Sequence, residues 1–161
     1  MIVRVLARGP ASMSSPAARW AVNILALAGA ALLAWSSVIH LQLWSDGYKS
    51  ISVIGPLFLI QGIGATVLAL AVVALRRVAL LASGALLLAG TAVGLLVSSA
   101  IGLFGFQDSL AVPYATTSLA VEFTGAAIFL VATVTVLASR SRVAVLTRTS
   151  APVQSLSGRQ P

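Results

Sequence analysis

The feature that most constrains this chain is a pair of adjacent arginines, Arg76-Arg77, set between two long apolar runs. Uncharged sequence reaches back from the pair to Ile51 and forward from it to Phe104. Two arginines are too costly at mid-bilayer, and the combined stretch far exceeds the roughly 20 residues that cross a hydrocarbon core of about 30 Å. The runs therefore read as two antiparallel spans joined by a tight turn at the arginines. Water is the wrong solvent for them. Of all residues 59% are hydrophobic and 8% charged, where a soluble domain carries about 25% charged and needs polar cover over its exterior.

Two further apolar runs, Trp20–Leu41 and Ala115–Ala138, flank this pair. The first is longer than the h-region of a signal peptide, about 7–15 residues, and no convincing A-x-A site follows it, so it reads as a retained helix. The expected fold is all-α: a polytopic membrane protein, a four-transmembrane-helix bundle with spans at about 20–41, 51–75, 78–104 and 115–138. Residues 1–19 and 139–161 are rich in small and polar residues and read as tails with little fixed structure. Met13 is an alternative start within the first of them.

The breaks between spans carry their own signals. Asp46-Gly47 supplies turn chemistry between the first two spans, and Trp44 and Tyr48 have the amphipathic shape favoured at a membrane interface. Pro56 leaves the start of the second span with two solutions: a helix beginning at Gly55-Pro56, or one beginning earlier and kinking there. Gly105–Tyr114, with Asp108 and Pro113, reads as the third loop.

Orientation follows from the basic residues. Arg4, Arg8, Arg19, Arg76, Arg77, Arg140, Arg142, Arg148 and Arg159 fall on one side of the expected bundle, and Lys49 alone falls on the other. The positive-inside rule then places both termini in the cytoplasm, N-in/C-in, in a multi-pass protein of the cell membrane. The net charge of +7 thus reports topology. Arginines that flank apolar spans make no patch for nucleic acid.

Lipid tails are as apolar as leucine, so helix association must rest on close packing and polar contacts between helices. Gly90, Gly94, Ser98 and Gly102 recur at four-residue spacing and line one face of the third span. The expected role of that face is helix packing inside the bundle, with homodimerisation as the alternative. The expected partners are the lipid bilayer and, beyond it, another membrane protein or a second copy.

Few polar groups lie within the spans. Glu122 stands about 25 Å from the inner end of the fourth span, with Ser118, Gly125 and Ala126 on its face. A carboxyl group there must find a partner or take up a proton. His40, the single histidine, lies at a similar depth in the first span. The two can meet in the outer half, where Asp46, Tyr48, Gln61 and Tyr114 would complete an outward-facing polar cavity. One reading makes His40 an interfacial residue and Glu122 a carboxyl satisfied by a neighbouring hydroxyl or amide. The other makes them a ligand or proton site. No cofactor or metal is expected. The chain has no cysteine, one histidine cannot supply bis-histidine haem ligation, and no metal-spacing, phosphate-loop or nucleophile motif is present.

The stretch His40-Leu41-x-Leu43-Trp44, then Gly47-Tyr48-Lys49-x-Ile51 and Ile54-Gly55-Pro56-Leu57-Phe58-Leu59, with Gly102-Leu103-Phe104-Gly105-Phe106 and the helix of Glu122, resembles a group of uncharacterised small actinobacterial four-span integral membrane proteins. Ser52 and Lys49 depart from the proline and arginine of that pattern. The resemblance implies a shared architecture over about residues 20–138 and draws attention to His40, Tyr48 and Glu122. It implies no reaction. From sequence, the first functional expectation is a non-enzymatic structural or accessory protein of the cell envelope. The alternative is a small transporter or ligand-binding protein that uses His40 and Glu122.

Overall fold

A computed structural model describes the backbone of residues 5–7 and 9–149 and, of these, the side chains up to residue 139. The described residues form four long helices: α1 (Pro16–Ser45), α2 (Ile54–Leu75), α3 (Val78–Ile101) and α4 (Ala115–Thr149). Each contains a segment long and apolar enough to cross a membrane. At about 1.5 Å per residue, even α2 exceeds the hydrocarbon thickness. The protein is a four-helix bundle of the membrane, and its outward faces fit lipid: Trp20, Ile60, Leu70, Leu86 and Ile101 are all more than 60% exposed.

Helix ends follow local chemistry. Ser15 caps α1, its hydroxyl accepting from the Ala18 amide, and Pro16 takes the first helical position, where its missing N–H costs nothing. Gly47, at φ 148°, reverses the chain after α1, and a 3₁₀ turn at Tyr48–Ser50 follows. Helix α2 begins at Ile54, so Pro56 lies within its first turn and no kink is needed. Gly55 is required there, because a Cβ would stand 2.7 Å from the Tyr48 carbonyl oxygen. Arg76 ends α2 in the left-handed conformation, φ 46°, and Arg77 is the extended residue before α3. After α3, Leu103 and Phe106 exchange backbone hydrogen bonds across a turn whose central residues, Phe104 and Gly105, both have positive φ. That is the signature of a type I′ hairpin turn.

The packing differs from the expected hairpin in one respect. The Arg76-Arg77 turn is as tight as the sequence requires, yet α2 and α3 touch little beyond it. Helix α1 packs extensively on α2 and α4, and α4 on α3. The order around the bundle is therefore α2, α1, α4, α3, with a gap between α2 and α3. The half of the bundle nearer the Arg76-Arg77 turn is filled: Val22, Leu33, Val72, Leu81, Leu88, Phe129 and Val136 are fully buried. Phe129 is the centre of this core, its ring seated against Gly29 of α1 and Gly84 of α3.

Parts of both expected tails fall among the described residues. Met13 is 5% exposed and belongs to the core. Gly9 lies so close to the Arg76 carbonyl that a Cβ would stand 2.8 Å from its oxygen. The N-terminal segment thus packs on the Arg76-Arg77 turn. Helix α4 continues past 138 to Thr149. The rest of the expected tails, residues 1–4, 8 and 150–161, lies outside the described residues.

Candidate ligand site

The other half of the bundle, toward the two longer loops, is built differently. Among the described residues, seven of the eight buried polar ones are here: Ser36, Ser37, His40, Gln61, Ser98, Ser118 and Glu122, with Thr133 the exception. Polar residues at this depth are costly unless satisfied, and much of the set is satisfied between helices. The Ser37 hydroxyl donates to the Gly62 carbonyl at 2.6 Å and lies 2.7 Å from the Thr66 hydroxyl, tying α1 to α2. The Ser36 hydroxyl donates to Glu122 Oε1 at 3.2 Å, tying α1 to α4, and Ser118 donates to the same oxygen at 3.0 Å.

His40 completes the group. Its Nδ1 stands 2.8 Å from the Ser36 carbonyl oxygen one turn back. A carbonyl can only accept, so Nδ1 carries the proton and Nε2 is the nitrogen free to exchange one. Nε2 lies 3.9 Å from Glu122 Oε1. That is ion-pair range and beyond a direct hydrogen bond. Two residues distant in sequence, with side chains 10% and 1% exposed, thus bring an imidazole and a carboxyl together, the latter already held by the Ser36 and Ser118 hydroxyls.

The couple borders a cavity of about 330 Å³ that occupies the α2–α3 gap. Small-molecule sites in proteins begin at about this size. Its walls are mostly apolar, among them Ile54, Leu57, Phe58, Leu95 and Leu103. Ser118 and Thr91 add polar points beside Glu122, and Gln61 adds one from α2. Toward the loops a row of rings runs from His40 to Phe58 (5.0 Å between centroids), on to Tyr48 (4.8 Å) and then to Phe106 (5.6 Å). The Tyr48 hydroxyl donates to the Asp108 carboxylate at 3.3 Å, joining the first loop to the third. Burial, then the charge of Asp108 and the hydrogen bond to it, push that hydroxyl up to about 12.

His40, Glu122, Tyr48, Gln61 and Tyr114 thus all line one cavity. Asp46 does not. It is the cap residue of α1, exposed, with its carboxylate against the Ser45 hydroxyl. The acidic residue that reaches the cavity from a loop is Asp108, which the sequence marks only as a loop residue. Thr91 and Leu95 were likewise hidden within an apolar run.

The small-residue stripe also has a different role. An added Cβ on Gly90 or Gly94 would meet nothing within 4 Å, because both line the cavity instead of a neighbouring backbone. Ser98 lines it too, while Gly102 ends α3 at φ 81°. Close approach between helices occurs at Gly29, Gly62, Gly84 and Gly125, where a Cβ would stand 2.5–2.8 Å from a side chain of another helix.

Fold and site together define a multi-pass membrane protein, a four-helix bundle with a polar-ended cavity between its second and third spans. In comparisons with protein-family models, curated proteins and solved structures, nothing matches this chain.

Proposed function

We propose that this chain is a ligand-binding protein of the cell membrane, a small carrier or receptor, that takes a small apolar-bodied molecule into the α2–α3 cavity with its polar end toward His40 and Glu122. One observation carries the reading. Glu122 is 1% exposed, borders an open cavity, and leaves its Oε2 without a hydrogen bond of good geometry among the described residues, since the neighbouring Thr91 hydroxyl donates to the Leu87 and Leu88 carbonyls. A bundle serving only as structure gains nothing from a half-satisfied carboxyl beside empty space, since an unpaired buried polar atom is destabilising. The cavity therefore favours ligand binding over the purely structural role that the sequence suggested first. A molecule that engages Oε2 would change how readily Glu122 and the adjacent His40 hold a proton, which gives a route to proton-linked binding or transport.

Gentle extraction followed by mass spectrometry of co-purifying small molecules tests this reading. The native chain should carry a molecule that is lost from Gly94→Leu, whose side chain grows into the cavity, and from Glu122→Gln, both still inserted. Recovery of the same molecules from all three proteins would end the proposal.

The arginine distribution further supports both termini in the cytoplasm and the cavity in the outer half of the membrane. A cysteine at Ser109 should then react with an impermeant maleimide added to intact cells, and one at Arg77 should not. The opposite pattern would invert the orientation.

A further inference from the structure

We infer that the ligand is a lipid-soluble alcohol or phenol that reaches the cavity sideways from the bilayer and binds through its hydroxyl group. This deepens the ligand-binding reading and rests on it. Two buried polar atoms at the cavity wall lack partners among the described residues: Glu122 Oε2 on α4, an acceptor when ionised, and Gln61 Nε2 on α2, a donor. Their residues are 1% and 9% exposed. One group that both donates and accepts would answer both: a hydroxyl set between α2 and α4 would give its hydrogen to Oε2 and take one from Nε2.

Beside an ionised Glu122 other head groups fit less well. An ammonium would suit the carboxylate but offers no lone pair to Gln61. A carboxylate would suit Gln61 but meets Glu122 with like charge.

The access route follows from exposure. Leu57 and Ile60 line the cavity from α2, yet are 42% and 66% exposed on the outside of the bundle, and Gly90 across the gap on α3 is exposed as well. These residues face lipid where α2 and α3 part, so the opening lies in the hydrocarbon region. On the loop side the ring row and the Tyr48–Asp108 bond narrow the cavity, and the exposed Pro113 and Tyr114 form its edge toward water. The volume limits what enters. At about 30 Å³ per water-sized group, the cavity holds roughly ten such groups. A hydroxyl and the first part of an apolar chain fit, and the remainder would extend through the gap into the bilayer.

Photolabelling of the full chain in phosphatidylcholine–phosphatidylglycerol nanodiscs tests this. The probes are dodecanol bearing a mid-chain diazirine and the matching methyl ether, carboxylic acid and amine. The alcohol should label cavity-wall residues such as Leu57 and Leu95. The ether, which has no hydrogen to give Glu122, should label them roughly three- to tenfold less, the weight of one hydrogen bond. Gln61→Leu, which keeps its apolar contacts, should lower labelling by the alcohol to a similar extent, and Gly94→Leu should abolish it. Equal labelling by alcohol and ether, or no effect of Gln61→Leu, would overturn the hydroxyl assignment. Stronger labelling by the amine or the acid would overturn it while leaving the cavity as a ligand site. No labelling of wall residues by any probe, or labelling untouched by Gly94→Leu, would overturn both.

Discussion

The Nε2 of His40 lies 3.9 Å from Oε1 of Glu122, and a single residue, Ser36, positions both partners. The Ser36 carbonyl accepts the His40 Nδ1 hydrogen at 2.8 Å, and its hydroxyl donates to Glu122 at 3.2 Å. Backbone and side chain of one α1 residue thus orient an imidazole on the same helix and a carboxyl on α4.

Ser36→Ala keeps the carbonyl and removes the hydroxyl, so it should loosen Glu122 without freeing His40. The loss expected for one hydrogen bond between membrane helices is about 0.6–1.7 kcal/mol. Ser118→Ala should behave alike. The double variant should lose more than the sum of the two, because Oε1 then has neither hydroxyl donor. Reversible unfolding in mixed detergent micelles measures this, and strict additivity at negligible cost would show that the hydroxyls do not hold the carboxyl.

The glycines should divide into two groups. Gly84→Ala puts a methyl 2.6 Å from the Phe129 ring, and Gly29→Ala puts one 2.8 Å from it on the other side. Each should cost about 1–3 kcal/mol by overpacking. Gly90→Ala and Gly94→Ala meet open space and should be neutral or stabilising by about 0.5–1 kcal/mol through reduced backbone freedom. The same unfolding assay separates the groups, and destabilisation by the second would contradict the gap between α2 and α3.

Phe129 is fully buried at the junction of α1, α3 and α4. Phe129→Ala should cost about 3–5 kcal/mol. In that background the penalty of Gly84→Ala should vanish, because the atoms it would strike are gone. A penalty of unchanged size in the double variant would mean that the glycine faces something else.

Tyr48 offers a pH test outside the spans. Its hydroxyl is raised from 10 to about 12, by burial first and the neighbouring Asp108 second. A group raised on folding contributes stability fully below its unfolded value and loses it as pH climbs through the folded one. The junction of the first and third loops should therefore hold to about pH 10 and weaken between about 10 and 12. A tyrosinate absorbance titration should show a late step near the upper value that Tyr48→Phe removes. Persistence of that step in the variant would assign it elsewhere.

How much of this was legible in the sequence depended on where charge was available to mark it. Arg76-Arg77 defined a two-residue turn, because arginine inside a span would be prohibitive. Asp46-Gly47 marked the end of α1. Direction around each helix was harder to read. In lipid both faces of a span are apolar, so hydropathy does not say which face turns inward. The Gly90–Gly94 stripe looked like a packing face and lines a cavity instead, while Phe129 had nothing to mark it as the centre of the core. His40 and Glu122 could be paired by depth along their helices, since depth follows from counting residues. Asp46 and Asp108 could not be told apart, because the course of a loop depends on turns such as Leu103–Phe106 that bring Asp108 beneath Tyr48.

His40 and Glu122 standing as one pair at the cavity is the central claim, and the composition allows a direct measurement. The chain has a single histidine and, among its three acidic residues, a single glutamate. Labelling histidine with ¹⁵N and glutamate with ¹³C at the carboxyl therefore isolates one spin pair in lipid bilayers. Solid-state NMR should find Nδ1 protonated and a dipolar coupling between Nε2 and the carboxyl carbon in keeping with the 3.9 Å contact. Absence of that coupling, or a proton on Nε2 with Nδ1 bare, would contradict the account.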